Sequence, residues 1–134
     1  MTSADAGSSG GTSEKKPLVL VVEDDEVLRL VLTTELARIG FLLAEAEHGE
    51  KALAVMAQQR PDIIVTDLMM PVLDGFGLIE RVKSLPEFAG VPIIAITASN
   101  NPEMKSKALA LGVAYFMMKP FASEDLTEVI NRYL

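Results

Sequence analysis

The chain has no cysteine, and only one of its 134 residues is a histidine. Without cysteine there can be no disulfide framework, no thiolate metal site and no cysteine nucleophile. The single histidine, His48, has no partner ligand nearby, so an exposed loop position is favoured over a role as metal ligand or base. Because no signal-peptide pattern appears either, we predict a cytoplasmic location.

Positive charge and long apolar runs are also scarce. The 12 Lys and Arg residues face 19 Asp and Glu residues, which leaves a net charge of −7. This charge repels phosphate backbones and anionic lipids, so we predict no direct binding to nucleic acid or to a membrane surface. Apolar runs such as residues 18–22 are far shorter than the ~20 residues of a membrane span. Hydrophobic residues make up 49% of the chain, and we therefore expect this large apolar fraction in a buried sheet.

The first sixteen residues differ in composition from the rest. Residues 1–16 consist of Gly, Ser, Thr, Ala and charged residues without apolar periodicity, together with Met1. Such a segment buries too little surface to offset its ordering entropy. We predict a disordered leader, natural or artificial in origin, followed by one domain over residues 17–134.

Short apolar runs alternate about five times with amphipathic segments along the domain. The run at residues 63–65 lacks period-2 alternation, which is typical of a strand covered on both faces. This alternation predicts an α/β fold with one doubly wound parallel sheet. The predicted strands cover residues 18–22, 41–46, 63–67, 91–96 and 113–118, and the helices cover 26–39, 49–59, 76–84, 102–111 and 123 onward.

In the first helix, a buried stripe of Leu28, Leu32, Leu36 and Ile39 is expected. The same periodicity turns Val27, Leu30 and Val31 outward. Scattered apolar surface residues are ordinary, but these three lie beside the acidic end of the first strand, and Phe121 is expected on the same rim. They could form an apolar docking patch for a helical partner.

Four of the predicted strands end in polar residues. Carboxyl ends of parallel strands lie at one edge of the sheet, where ligands of such folds bind. We therefore expect a single site there, centred on Asp67. The residues around Asp67, taken alone, are equally consistent with a role in capping a loop. The converging residues are Glu23, Asp24, Asp67, Thr97 and Lys119.

This set of residues is suited to phosphoryl chemistry. Two carboxylates ~5 Å apart repel by roughly 3 kcal/mol at an effective dielectric of ~20, so a cation must lie among them. Mg²⁺ prefers such hard oxygen ligands. A carboxylate next to it can act as a nucleophile toward phosphorus and form an aspartyl-phosphate. Lys119 would supply positive charge and Thr97 a neutral hydrogen-bond donor.

From Pro17 to Leu134 the chain resembles the receiver domains of two-component response regulators. Each motif is weak alone, but their order and spacing together are specific. The motifs are Val-Val-Glu23-Asp24, Asp67-Leu-Met-Met-Pro71 with Asp74-Gly75, Thr97-Ala98, and Lys119-Pro120-Phe121.

The resemblance implies a flavodoxin-like sheet of strand order 2-1-3-4-5. It implies that Asp67 accepts a phosphoryl group from a sensor histidine kinase or a histidine phosphotransfer protein. Mg²⁺ would be bound by Asp24, Asp67 and the backbone carbonyl of Met69, with Glu23 acting through water. The Lys119-Pro120 bond is usually cis in this family.

The family's conformational switch is implied as well. Thr97 would move toward the phosphoryl group, and the aromatic at position 116 would swing inward. Here this residue is Phe116, which lacks a tyrosine hydroxyl, so the switch could be looser; a packed core aromatic is the alternative interpretation. The face around Phe116 would bind a downstream target or a second copy of the chain.

Two other functions stay open at this point. A Mg²⁺-dependent phosphohydrolase would use Asp67 as a transient nucleophile, but Leu68 and Met69 supply no second acid or base. A pseudo-receiver would bind partners without accepting phosphate, which the complete set of site residues disfavours. The leading hypothesis is a signalling domain, not an enzyme, that assists its own phosphorylation and dephosphorylation.

Overall fold

The structure, a computed structural model, describes residues 16–134. The predicted leader lies outside the described residues apart from Lys16, which is exposed, so its disorder stays a prediction. Of the helices in the described part, none combines the length and the apolarity that crossing a bilayer requires.

Five strands and five helices alternate without exception through the described residues. They are β1 (Leu18–Val22), α1 (Glu26–Ile39), β2 (Leu42–Ala46), α2 (Gly49–Gln58), β3 (Ile63–Asp67), α3 (Gly75–Ser84), β4 (Ile93–Thr97), α4 (Pro102–Ala110), β5 (Tyr115–Met118) and α5 (Ser123–Tyr133). All strand pairs are parallel, in the order β2-β1-β3-β4-β5. The predicted fold class and strand order are therefore confirmed.

The sheet separates two apolar layers. Alternate residues of β1 divide between them: Val19 and Val21 pack with α1 and α5, whereas Leu20 and Val22 pack with α2, α3 and α4. Because β1, β3 and β4 are buried on both faces, their sequences begin as continuous apolar runs, which end in Thr66 and Asp67 in β3 and in Thr97 in β4. This packing fixes the carboxyl ends of β1, β3, β4 and β5 at one edge of the sheet.

Helix ends follow the local chemistry of the sequence. The Asp25 carboxylate accepts a hydrogen bond from the Leu28 N–H at 3.0 Å, as expected for an N-cap. Gly40 follows α1 with φ 124°, a conformation that favours glycine. His48 is not simply an exposed loop residue: it is half-buried, and its Nδ1 accepts a hydrogen bond from the Lys51 N–H at the start of α2.

Some predicted boundaries and one core residue are wrong. Ile39 is 47% exposed: it is the last residue of α1, and the buried residues of that helix end at Leu36. Phe41, Val91 and Val113 are buried but lie outside the strands. Each fills the core from a loop, and a buried loop residue next to a strand cannot be distinguished from the strand by its apolar character.

Candidate acidic site

The carboxyl edge of the sheet brings three carboxylates together. Glu23 and Asp24 directly follow β1, and Asp67 is the last residue of β3. One carboxylate oxygen from each lies within 4.8 Å of the others. Glu23 and Asp67 are buried, while Asp24 is exposed to solvent. The cluster is thus open on one side only.

The ammonium of Lys119 lies between two of these carboxylates. Lys119 Nζ is 2.8 Å from Glu23 Oε1 and donates a hydrogen bond to Asp67 Oδ2 at 3.1 Å. The contact between Lys119 and Glu23 is an ion pair. Glu23 Oε1 is left as a fully buried oxygen without a hydrogen-bond partner among residues 16–134. The side chain of Lys119 reaches the site from just beyond β5, after which the Lys119-Pro120 bond is cis.

Burial changes the protonation behaviour of two of these groups. Burial raises the pKa of Glu23 to about 7, although the nearby Lys119 ammonium and the N–H of Asp25 act to lower it. Burial alone would lower the pKa of Lys119, but its contacts with Glu23 and Asp67 outweigh this and raise the pKa. The raised pKa of Lys119 favours its charged form, and the raised pKa of Glu23 shows that Lys119 offsets only part of the cost of burying this carboxylate.

The backbone beneath Asp67 is tightly packed. Asp67 Oδ1 accepts a hydrogen bond from the Met69 N–H at 3.1 Å. The N–H of Gly75 donates to the carbonyl oxygen of Leu68 at 3.1 Å, and a Cβ at position 75 would overlap the carbonyl oxygen of Asp67. Glycine is required at the start of α3 for this close approach, and not for a positive φ. The packing holds Asp67 at the edge of the site.

The loop between β3 and α3 is attached to α2. The carbonyl oxygen of Leu73 accepts a hydrogen bond from the Gly49 N–H at 2.9 Å, and Cβ atoms at Gly49 or Gly77 would collide with Leu73. Val72, next to this attachment, has φ 70°, which is unfavourable for a β-branched residue. The loop that carries Met69 is thus anchored at the cost of local strain.

Thr97 lies beside the carboxylate cluster, and Phe116 lies further away. Ile96 pairs with Asp67 across the sheet, and Thr97 follows it, fully buried. Thr97 Oγ1 accepts a hydrogen bond from the Ser99 N–H at 3.2 Å. Phe116 is on β5, two strands from Asp67, half-buried against the layer of α2, α3 and α4. The structure therefore does not bring Phe116 into the acidic cluster.

The predicted docking residues divide between two surface hollows. Val27, Leu30 and Val31 are 73%, 65% and 47% exposed. Val31 and the half-buried Phe121 line one cavity of about 200 Å³ beside Lys119, whereas Val27 and Leu30 line a neighbouring hollow of about 330 Å³. Of the four predicted docking residues, Val31 and Phe121 therefore share a cavity with the site residue Lys119.

Larger cavities lie away from the acidic cluster. One of about 480 Å³ is at the opposite edge of the sheet, and one of about 520 Å³ lies between the ends of α2 and α3. Neither is lined by residues of the carboxylate cluster. The candidate site is therefore placed at the carboxylate cluster, where Lys119 contacts both Glu23 and Asp67.

The cluster fits a hard divalent cation. It offers oxygen ligands from three carboxylates, and among the described residues the ammonium of Lys119 pairs with two of them, Glu23 and Asp67. Oxygen ligands of this kind suit Mg²⁺. The sequence prediction did not include Arg29, whose guanidinium donates a hydrogen bond to the backbone carbonyl of Glu23. The sequence signal that could have pointed to Arg29 is a positively charged residue in the first turns of α1, where the helix dipole disfavours positive charge.

Comparison with protein families and curated proteins gives consistent matches. The family model for the response regulator receiver domain matches residues 19–131 of this chain. A probable transcriptional regulator, ycf27 of Guillardia theta, is 36% identical over 90% of this chain and 46% of its own length. The sensor histidine kinase TmoS of Ectopseudomonas mendocina is 35% identical over 89% of this chain and 12% of its own length. The chain spans about half the length, or less, of these curated relatives.

Two solved structures match over all or nearly all of their own chains. The chemotaxis protein CheY4 of Vibrio cholerae has a TM-score of 0.85 and 31% identity, covering 90% of this chain and 100% of its own. The receiver domain of the sensor histidine kinase PA1611 of Pseudomonas aeruginosa has a TM-score of 0.82 and 28% identity, covering 89% and 98%. The latter structure holds a magnesium ion coordinated in its active site cleft.

Proposed function

The chain belongs to the response regulator receiver domain family, and we propose that its Asp67 accepts a phosphoryl group from a phosphohistidine donor. The donor would be a sensor histidine kinase or a histidine phosphotransfer protein acting in the cytoplasm. The observation that carries the proposal is the position of Lys119, whose ammonium is 3.1 Å from an oxygen of Asp67 at an open edge of the sheet.

In the proposed reaction, a carboxylate oxygen of Asp67 forms a bond to phosphorus. The bond between phosphorus and the donor's imidazole nitrogen breaks, and the nitrogen keeps the electron pair. Lys119 stabilises the negative charge on the phosphoryl oxygens, and the hydroxyl of Thr97 can turn to donate to one of them. The domain would thereby assist its own phosphorylation without being an enzyme that turns over a separate substrate.

Mg²⁺ is the proposed cofactor. Asp24, Asp67 and the backbone carbonyl of Met69 would hold it, with Glu23 acting through water. When bound, the ion neutralises charge on the phosphoryl oxygens. The magnesium ion in the receiver domain of PA1611 supports this assignment, as does the acidic cluster itself.

The proposed output surface lies around Phe116. Phosphorylation would draw Thr97 toward the phosphoryl group and turn Phe116 inward, changing the face that binds a downstream protein or a second copy of the chain. Leu109 and Met118 are 46% and 43% exposed, which supplies apolar surface in the adjoining helix and on β5. If amide exchange between residues 101 and 133 is unchanged by beryllofluoride and Mg²⁺, this switch is absent.

Incubation with acetyl phosphate and Mg²⁺ tests the acceptor. Mass spectrometry of the intact chain is expected to show one added phosphoryl group, which EDTA or the substitution Asp67→Asn abolishes. Asp125→Asn, an exposed carboxylate in the first turn of α5, is the matched control and should label normally. Labelling of the Asp67→Asn protein would refute the assignment.

The same preparation separates the two alternatives. A phosphohydrolase would release phosphate from small phosphoesters with repeated turnover, whereas the receiver is expected to stop after one phosphoryl group. A pseudo-receiver would show no amide shifts with beryllofluoride and Mg²⁺ in NMR spectra. The presence of Asp67, Thr97 and Lys119 together favours the phospho-accepting function over both.

A further inference from the structure

Arg29 links three elements at the back of the acidic site. Its Nη1 donates a hydrogen bond to the backbone carbonyl of Glu23 at 2.7 Å, and its Nε donates to the carboxylate of Glu45 on β2 at 3.0 Å. The side chain of Arg29 is only 15% exposed, so solvent weakly screens its part-buried bond to the Glu23 carbonyl. Charge-assisted hydrogen bonds of this length are about twice as strong as neutral ones.

The carbonyl that Arg29 holds belongs to the peptide unit between Glu23 and Asp24. Because a trans peptide is planar, fixing this carbonyl also fixes the N–H and the Cα of Asp24, the atom from which its side chain leaves the backbone. Other contacts act on the Glu23 side: its N–H donates to the carbonyl of Ala46 at 3.0 Å, and its carboxylate accepts from the Asp25 N–H at 3.1 Å. Arg29 completes the restraint on the Asp24 side.

Restraint is needed here because the carboxylates repel one another. Lys119 pairs with Glu23 and Asp67, while Asp24 is exposed and close to both. Without a divalent cation in the cluster, the repulsion between Asp24 and the other two carboxylates favours rotation of the Glu23-Asp24 peptide away from Asp67. A guanidinium bound to the carbonyl of that peptide opposes the rotation.

The placement of Arg29 in α1 has no local explanation. It is the fourth residue of a helix that starts at Glu26, where the helix dipole disfavours a cation. Its only described ion pair is with Glu45, whose side chain is 57% exposed, and such a pair contributes little. The bond to Glu23 accounts for an arginine at this position.

We propose that Arg29 is a positioning residue that holds Glu23 and Asp24 toward Asp67 before a divalent cation binds. The inference rests on the proposed function, since it assumes that the cluster binds Mg²⁺. Arg29 touches neither the cation nor the phosphoryl group. It acts through the peptide unit that joins the two acidic residues.

Mg²⁺ affinity tests the proposal directly. Amide NMR titration of the full chain with MgCl₂, well below the unfolding temperature, is expected to show binding at least tenfold weaker for Arg29→Ala, as is typical when a ligand-orienting contact is lost. Arg38→Ala removes the same charge from the same helix, where its ion pair is with Glu35, and should stay within twofold of wild type. Glu45→Gln leaves the hydrogen bond from Arg29 to the Glu23 carbonyl available, so it should weaken Mg²⁺ binding less than Arg29→Ala does.

Two further readouts distinguish positioning from general damage. In metal-free protein, the N–H of Asp25 should exchange faster with solvent in Arg29→Ala than in wild type or Arg38→Ala. At saturating Mg²⁺, acetyl phosphate labelling of Asp67 should return to within about twofold of wild type, because the reacting groups are intact. If Arg29→Ala does not fold, Arg29→Gln is measured in the same way.

The outcomes separate this inference from the proposed function. Wild-type affinity in Arg29→Ala, with Mg²⁺ still bound by the wild-type chain, overturns the role of Arg29 alone. An equal loss in Arg38→Ala also overturns it, because any lost positive charge would then suffice. No Mg²⁺ binding by the wild-type chain rejects the metal site, and with it both proposals.

Discussion

Gly75 packs so closely against Asp67 that a Cβ at position 75 would overlap the Asp67 carbonyl oxygen. The neighbouring atoms belong to the backbone of β3 and cannot move aside as a flexible side chain would. The start of α3 and the end of β3 are thus coupled through one small residue. Any side chain at position 75 must displace the residue that carries the proposed chemistry.

Gly75→Ala is expected to destabilise the chain by about 1–3 kcal/mol, the usual cost of overpacking a filled site. Urea unfolding gives the free energy, and acetyl phosphate labelling of the folded fraction should also slow because Asp67 is displaced. Gly90→Ala is the matched control, since a Cβ there has nothing within 4 Å; it should lie within about 0.5 kcal/mol of wild type. Equal stability of the two variants would contradict the close packing.

Val72→Gly is expected to stabilise the chain by about 1 kcal/mol. Val72 has φ 70° and is 76% exposed, so glycine relieves backbone strain and loses little packing. The strain is worth roughly 1–2 kcal/mol, partly offset by the greater freedom of glycine in the unfolded chain. Thermal unfolding measures the difference, and Val72→Thr, which keeps the β-branch, should unfold at the same temperature as wild type. A lower unfolding temperature for Val72→Gly would argue against strain there.

Val31→Lys is expected to slow phosphoryl transfer from a kinase by tenfold or more, about 1.4 kcal/mol. Val31 shares a cavity with Phe121 and Lys119, where an apolar helix of the donor could pack. Labelling by acetyl phosphate needs no docking and should be unchanged. Ile39→Lys, an equally exposed position at the far end of α1, is the control and should leave both reactions intact.

Three other results of that experiment have definite meanings. Equal loss with both donors would mean that Val31→Lys damages the fold or the site. No loss with either donor would place kinase docking elsewhere on the surface. A matching loss in Ile39→Lys would point to a charge effect along the whole helix.

Phosphorylated Asp67 is expected to hydrolyse slowly. Met69 and Ser99 flank it, and neither supplies a carboxylate or amide to orient water; Ser99 Oγ already accepts a hydrogen bond from the Asn101 N–H at 3.2 Å. A variant with Met69→Asn and Ser99→Glu should release phosphate about tenfold faster, which is below the full effect of a well-placed acid or base. Identical phosphate-release kinetics in the two proteins would show that these positions do not control hydrolysis.

The architecture was predictable because its signals are local. A continuous apolar run indicates a strand covered on both faces, and a polar residue at the end of such a run lies at the carboxyl edge of a parallel sheet. Residues from distant parts of the chain, such as Asp24, Asp67 and Lys119, could therefore be assigned to one edge without coordinates. The strand order came from the family resemblance, since alternation of strands and helices does not specify it.

Sequence alone determined which residue types lie at the edge of the sheet, and tertiary structure decided how they touch. The ammonium of Lys119 between Glu23 and Asp67, and the reach of Arg29 to the Glu23 carbonyl, depend on how helices and loops pack. The exposure of Ile39, predicted to be buried, likewise depends on how the end of α1 packs. Such contacts join residues whose separation along the chain is unrelated to their distance in space, so periodicity and motif spacing do not encode them.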